Sequence, residues 1–425
     1  MSRDATRNSA LAFALLFLGL IDPYFVWRFN GSPPSLRSVL TGLIALFAPV
    51  LIGLVIQQVF SVRGSKSRLL VLAAFTWAFV WAWPTAGIYT FLLLLLAGML
   101  WVVDDAWRRI SIALCLVAVL FVATPYVFAA VTAKPVSWLT KSSAPTGSKT
   151  TVVILFDELS SNATAPLVSE LANTGETVLV KSLKPVGQNT INVIPALFTG
   201  EVYSNDRVCG ATALCTGSAS FDFSSVVVAR RDVDVVGFYM PYCSIVALRS
   251  CTAVPFDRNR NVSCTASRVL SIVAEKLGRS VSAFCVADLV QDMRRILGAT
   301  ETALWNAPVW DQGGVLYAHL PSPHPVGLRA ADRSLNADYE SNLQDVSRIA
   351  DRALGRLRAS GRPFTLILFS DHPLRRSHCE APVYAVADCA SAKYFDNHVP
   401  LIVVGERPAG FDAIESNRDI FSLVN

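Results

Sequence analysis

Two stretches decide the fold: TVVILFDE, residues 151–158, and FTLILFSDH, residues 364–372. Each is an unbroken apolar run of the length of a buried strand, and each stops abruptly at side chains that bind metals. Asp157 and Glu158 close the first; Asp371 and His372 close the second. Open α/β sheets place their chemistry beyond the carboxyl ends of parallel strands, so the two ends are expected to meet in one site.

Around them, apolar runs alternate with amphipathic stretches. Thr177 to Ser182, Val233 to Tyr239, Gly314 to Leu320 and Val399 to Val404 read as further strands, and Ala165 to Ala172 as a helix. From Ala337 to Ala359, Leu343, Val346, Ile349, Leu354 and Leu357 form one apolar stripe at helical spacing. Strand and helix in alternation imply a mostly parallel β-sheet with helices on both faces.

The first third of the chain is of another kind. Of 425 residues, 52% are hydrophobic, and the excess lies before residue 132. Apolar segments run from Ser9 to Trp27, Val39 to Phe60, Leu69 to Trp83, Thr85 to Val103 and Ile110 to Val131. Taken as one helix, Leu69 to Val103 would be about 52 Å long, far beyond a hydrocarbon core of about 30 Å, so Pro84 to Gly87 reads as a hairpin between two spans. Five transmembrane helices are therefore expected in residues 1–132, a tether in 133–149, and a catalytic domain in 150–425. Arg3 and Arg7 before the first span, Arg63, Lys66 and Arg68 after the second, and Arg108 and Arg109 after the fourth put the N-terminus inside. An odd number of spans then exports everything after Val131, as in an inner-membrane, multi-pass protein with a periplasmic domain.

Eight of the nine cysteines follow the tether, which suits an oxidising compartment. The sequence-local pairs are Cys209 with Cys215, Cys243 with Cys251 and Cys379 with Cys389, although eight cysteines leave the connectivity open. The net charge of +5 is spread along the chain without a basic run beside aromatics, which excludes a nucleic-acid-binding reading.

Thr190, in GQNTINVIPALFTG (residues 187–200), follows a polar turn at the start of a short helix, where amides and dipole favour an anion. A threonine hydroxyl needs a base or a metal to become a nucleophile. Asp157, Glu158, Asp371 and His372 supply donors for a divalent ion, with zinc or manganese ahead of calcium or magnesium. Taken singly, the acidic pair reads as a cap, Thr190 as an N-cap, and Asp371-His372 as a turn. Arg375 and Arg376 read either as phosphate contacts or as an exposed basic pair. All five histidines follow the tether; His319 reads as a core residue and His378 as a loop residue.

The order of these motifs resembles the alkaline phosphatase and sulfatase superfamily. Thr190 stands to Thr199-Gly200 as the sulfatase nucleophile stands to its Thr-Gly, YAHLPSPHP (317–325) resembles the substrate-side histidine segment, and HVPLIV (398–403) resembles the late strand. Several spans followed by such a domain resemble lipid A phosphoethanolamine transferases and lipoteichoic acid synthases. The resemblance implies a phospholipid donor, an exported glycan or lipid acceptor, and a phospho-threonine intermediate on Thr190. It implies Glu158, Thr190, Asp371 and His372 around the metal, Asp157 as an additional ligand, and acid/base or phosphate-binding roles for His324 and His398. Asn192, Val193 and Ile194 replace the sulfatase Pro-Ser-Arg positions, which disfavours sulfate esters, and Pro373 replaces the glycine after the late histidine. A phosphodiesterase, phosphatase or sulfatase-like hydrolase, or an inactive binding protein of the same fold, is the alternative.

Overall fold

The computed structural model describes residues 135–139, 149–204, 207–215, 220–255, 283–325, 334–380 and 393–424. The five apolar segments of residues 1–132 and the partner cysteine Cys389 lie outside them. Among the described residues no helix is long and apolar enough to cross a membrane.

In chain order the elements are β1 (Val136–Trp138), β2 (Thr150–Asp157), α1 (Ala165–Ala172), β3 (Val178–Leu183), α2 (Thr190–Thr199), β4 (Arg207–Val208), β5 (Ala213–Cys215), β6 (Ser220–Asp222), β7 (Val226–Val228), β8 (Val233–Phe238), β9 (Ser250–Val254), α3 (Ala283–Trp305), α4 (Val309–Gln312), β10 (Gly314–Pro323), α5 (Leu335–Ala359), β11 (Phe364–Ser370) and β12 (Val399–Gly405). Seven strands form the main sheet in the order β3-β12-β11-β2-β10-β8-β9. Both neighbours of β12 pair with it antiparallel; the other pairings in the sheet are parallel. The expected mostly parallel sheet is therefore present, with β12 as the reversed member.

The apolar runs are continuous because both faces of the sheet are covered. Along β2, Val152, Ile154 and Phe156 enter a core with Leu167 and Leu171 of α1 and Val346, Ile349 and Leu354 of α5. Val153 and Leu155 enter the opposite core with Val193, Ile194 and Leu197 of α2 and with Phe421. Alternating side chains thus bury on two sides, each large one contributing on the order of 1.5–3 kcal/mol. Ser334 caps α5, its hydroxyl accepting from the Ala337 amide at 3.1 Å.

Six of the described strands lie outside the sequence expectation: β1, β4, β5, β6, β7 and β9. Within the segment read as tether, Val136–Trp138 is a strand paired parallel with Val226–Val228. Its Trp138 is only 2% exposed and meets Phe198, Tyr317 and Phe421 edge-on. An indole with a ready-made aromatic pocket is driven into the core whatever the polarity of its neighbours. Ser250–Val254 adds an edge strand beside β8. The Cys209–Cys215 and Cys243–Cys251 disulfides are both formed, the second joining the loop before β9 to β9 itself.

Candidate metal centre and nucleophile

Register explains how residues distant in sequence converge. On one side of β2, Phe369 pairs with Leu155 and Ser370 with Phe156, so the two strands run out together at Asp157 and Asp371. On the other side β10 pairs Leu320 with Phe156, then slips so that Pro323 faces Asp157, which delivers His324 at the same edge.

Asp157, Asp371 and His372 form a buried group whose donor atoms all lie within 4.8 Å of one another. The His372 Nδ1 lies 3.1 Å from the Pro373 carbonyl, which can only accept, so that nitrogen carries a proton. Its Nε2 is left facing the group, 3.3 Å from Asp371 Oδ2 and 3.8 Å from Asp157 Oδ1. Thr190 donates its hydroxyl to Asp371 Oδ2 at 2.8 Å and lies 3.3 Å from His372 Nε2. Asp371 Oδ1 accepts from the amides of His372 and Glu158 at 2.8 and 3.2 Å.

Asp157 Oδ1 is buried without a hydrogen-bond partner. Burial first, then the charges of Asp371 and Glu158, push its carboxyl well above the ordinary range, against the pull of Arg375. Two crowded carboxylates, an orphaned oxygen and an imidazole held by its outer nitrogen are what a divalent ion satisfies, and the mixed N/O donor set suits zinc or manganese.

The nucleophile position is built by α2. Asn189 is its extended N-cap and makes no side-chain cap; the Asn192 and Val193 amides donate to its carbonyl at 2.9 and 3.1 Å, which leaves the Thr190 and Ile191 amides without an acceptor within the helix. Gly187 lets the preceding loop lie against the helix, because a Cβ there would sit 3.0 Å from that of Asn192. Gly200 ends the helix in the left-handed conformation, φ 74°, with its amide on the Ala196 carbonyl at 2.8 Å. Thr190 is thus an N1 residue with its side chain turned into the cluster.

Glu158 behaves differently from its neighbour. Its backbone is left-handed, φ 65°, and its carboxylate joins a second group with His324 and His378. His378 Nε2 lies 2.6 Å from Glu158 Oε2, and the Arg375 guanidinium pairs with Oε1. Burial works against this carboxylate, but the hydrogen bond from His378 and the Arg375 guanidinium hold it well below the usual range. Burial pushes His324 down to about 3, so it is neutral at physiological pH.

Of the residues singled out from sequence, Asp157, Thr190, Asp371 and His372 gather in one group, while Glu158 and His324 gather in the adjoining one. His398 joins neither: its ring is 53% exposed and faces Asp396 at 3.5 Å. Three residues that sequence reading did not assign to the site complete it. His378 was read as a loop residue. Tyr339 of α5 donates to the Glu158 carbonyl at 2.7 Å and accepts from the Ser160 amide at 3.0 Å, clamping the turn after β2. Asn417 donates to the carbonyls of Ser370 and Asp371 and accepts from the Val186 amide at 2.9 Å, tying the ligand turn to the loop that carries Thr190. The scarcity of histidine was the available signal for His378; Tyr339 and Asn417 have none in sequence. His319 is buried behind the site, its Nδ1 2.8 Å from the Tyr242 hydroxyl.

No protein-family model and no curated protein matches the chain. Among solved structures it is similar to the soluble domain of lipooligosaccharide phosphoethanolamine transferase A from Neisseria meningitidis, at 12% identity and a TM-score of 0.38 over 68% of this chain and 92% of that one. The integral membrane form of that protein aligns at 12% identity and 0.38 over 98% of this chain and 94% of that one. The C-terminal periplasmic domain of EcEptC from Escherichia coli, in complex with Zn, aligns at 9% identity and 0.35 over 68% and 84%. At these values the comparison adds no weight to a functional assignment, which rests on the geometry above.

Proposed function

We propose that this chain is a membrane-bound, metal-dependent transferase that moves a phospho-headgroup, of the phosphoethanolamine type, from a phospholipid to an exported glycan or lipid. The observation that carries the reading is the Thr190 hydroxyl at a helix N-terminus, 2.8 Å from Asp371 Oδ2 and 3.3 Å from His372 Nε2. Such placement suits a nucleophile better than a cap, because the hydroxyl serves a side-chain cluster rather than its own helix.

Asp157, Asp371, His372 and Thr190 would hold the ion, which when bound supplies positive charge to an alkoxide and to phosphoryl oxygens. The residues of the chain do the rest. Asp371 receives the hydroxyl proton it already faces. Thr190 Oγ1 forms a bond to phosphorus as the bond from phosphorus to the glyceride oxygen breaks, the glyceride taking a proton from water to leave as a neutral alcohol while Asp371 returns the threonine proton to water. The α2 amides lie where negative charge grows on the phosphoryl oxygens. The acceptor hydroxyl then attacks phosphorus and returns the oxygen of Thr190, its proton restoring the threonine. Residues 1–132 would hold the domain at the periplasmic face of the inner membrane, within reach of lipid donors.

The test uses the full chain in vesicles with headgroup-labelled phosphatidylethanolamine and, separately, phosphatidylglycerol. We expect a labelled peptide containing Thr190, absent from Thr190→Ala, and at least a thousandfold lower turnover for that variant. Equal labelling of wild type and Thr190→Ala, or of neither, would overturn the proposal. Release of the headgroup to water at the same rate with and without glycan or lipid acceptor would identify a hydrolase instead.

A further inference from the structure

The second donor group, Glu158 with His324 and His378, lies against the first and has the composition of a second metal site. Unlike the first, it already contains a cation. The Arg375 Nε pairs with Glu158 Oε1, its Nη1 donates to Asn189 Oδ1 at 3.3 Å, and its Nη2 donates to His324 Nε2 at 3.3 Å. His378 Nε2 occupies the other oxygen of Glu158. Both carboxylate oxygens and the inward nitrogen of His324 are therefore engaged.

We infer that Arg375 is the resident cation of this second group, so that the chain binds one divalent ion although its donors would serve two. Charge balance agrees with the geometry. With an ion bound, Asp157 and Asp371 would bring two negative charges to the first group and match a dication, whereas Glu158 brings one charge to the second and matches one guanidinium. A second dication would have to displace Arg375 from three partners, and a guanidinium cannot give up its proton to make room. Lysine, with a point charge and no fork, would not span Glu158, His324 and Asn189 at once. Asn189 is the residue before Thr190, so the same guanidinium fastens the second group to the nucleophile helix. Of its five N–H donors three make these contacts, on a side chain that is 30% exposed.

The inference rests on the first group binding an ion, and metal counting separates the two. Full-length protein in detergent is stripped with chelator, equilibrated with zinc, freed of excess and analysed for metal per chain. We expect one equivalent in wild type and two in Arg375→Ala, falling back to one in Arg375→Ala with Glu158→Gln. Two equivalents in wild type, or one in folded Arg375→Ala, would overturn the inference and leave the proposed function standing; none in wild type would defeat the metal-dependent reading and this one with it. Should Arg375→Ala not be recovered folded, Glu158→Gln alone decides. It keeps its single equivalent if Arg375 rather than an ion is the partner of Glu158, and loses it otherwise.

Discussion

Asp157 and Glu158 are adjacent, yet they serve different groups, because the left-handed backbone at Glu158 turns the chain between them. Glutamate has no preference for that conformation, which costs on the order of 1–3 kcal/mol outside glycine. Residue type alone therefore could not distribute the two acids; position in the motif put both beside Thr190, Asp157 as the additional member, and the structure groups Asp157 with Asp371 and His372 and Glu158 with His324 and His378. His319 shows a similar limit. It was readable as a core residue, but not as one with Nδ1 on Tyr242 and Nε2 without a hydrogen bond. Burial lowers its pKa to about 4, against roughly 6.5 in an unfolded chain. Between those values the unfolded chain takes up a proton that the folded one refuses, so stability is complete above about pH 6.5 and falls as pH drops towards 4. We expect a loss on the order of 3 kcal/mol across that window, seen as a falling thermal midpoint of the α/β domain. His319→Gln should flatten this slope; an unchanged acid limb would show that other groups set it.

At the scale of elements, the strands that were legible are the apolar-rich ones: β2, β8, β10, β11 and β12, buried almost throughout, and the edge strand β3, whose Val178, Leu179 and Val180 carry the signal. The strand β9, SCTAV, was not, because it lies at the sheet edge with polar and small side chains partly exposed, and its place is set by β8 and the Cys243–Cys251 link. The end of α5 near the site and the C-terminal 3₁₀ helix Asn417–Leu423 also carry more of the site than their sequences advertise. Through Asn417 the 3₁₀ helix joins Val186 to Ser370 and Asp371, and Phe421 seats it against Trp138 and Phe198. Removing that amide should loosen the ligand turn without opening the core. We expect Asn417→Ala to weaken zinc affinity about 10- to 100-fold with an unaltered far-ultraviolet spectrum, as read by competition with a chelating dye. Wild-type affinity in that variant would mean that the Asp371 turn holds itself.

At the scale of the whole molecule, β1 changes what the junction between the apolar third and the α/β domain does. The last apolar segment ends at Val131 and the chain is pinned into the domain core from Val136 onward. Five Cα-to-Cα steps reach at most about 17 Å, so on the proposed membrane reading the globule would have little room to wander. Inserting about 15 Gly/Ser residues before Pro135 adds a coil that spans about 20 Å on average. Turnover of lipid substrate should then fall several-fold while cleavage of a water-soluble phosphodiester stays unchanged; parallel behaviour of the two substrates would show that the short connection is immaterial. With Trp138 as a moored anchor, a domain acting as proposed would graze the leaflet beside it, and its supply of donor would be set by how fast neighbouring lipids drift past rather than by how far the domain can swing.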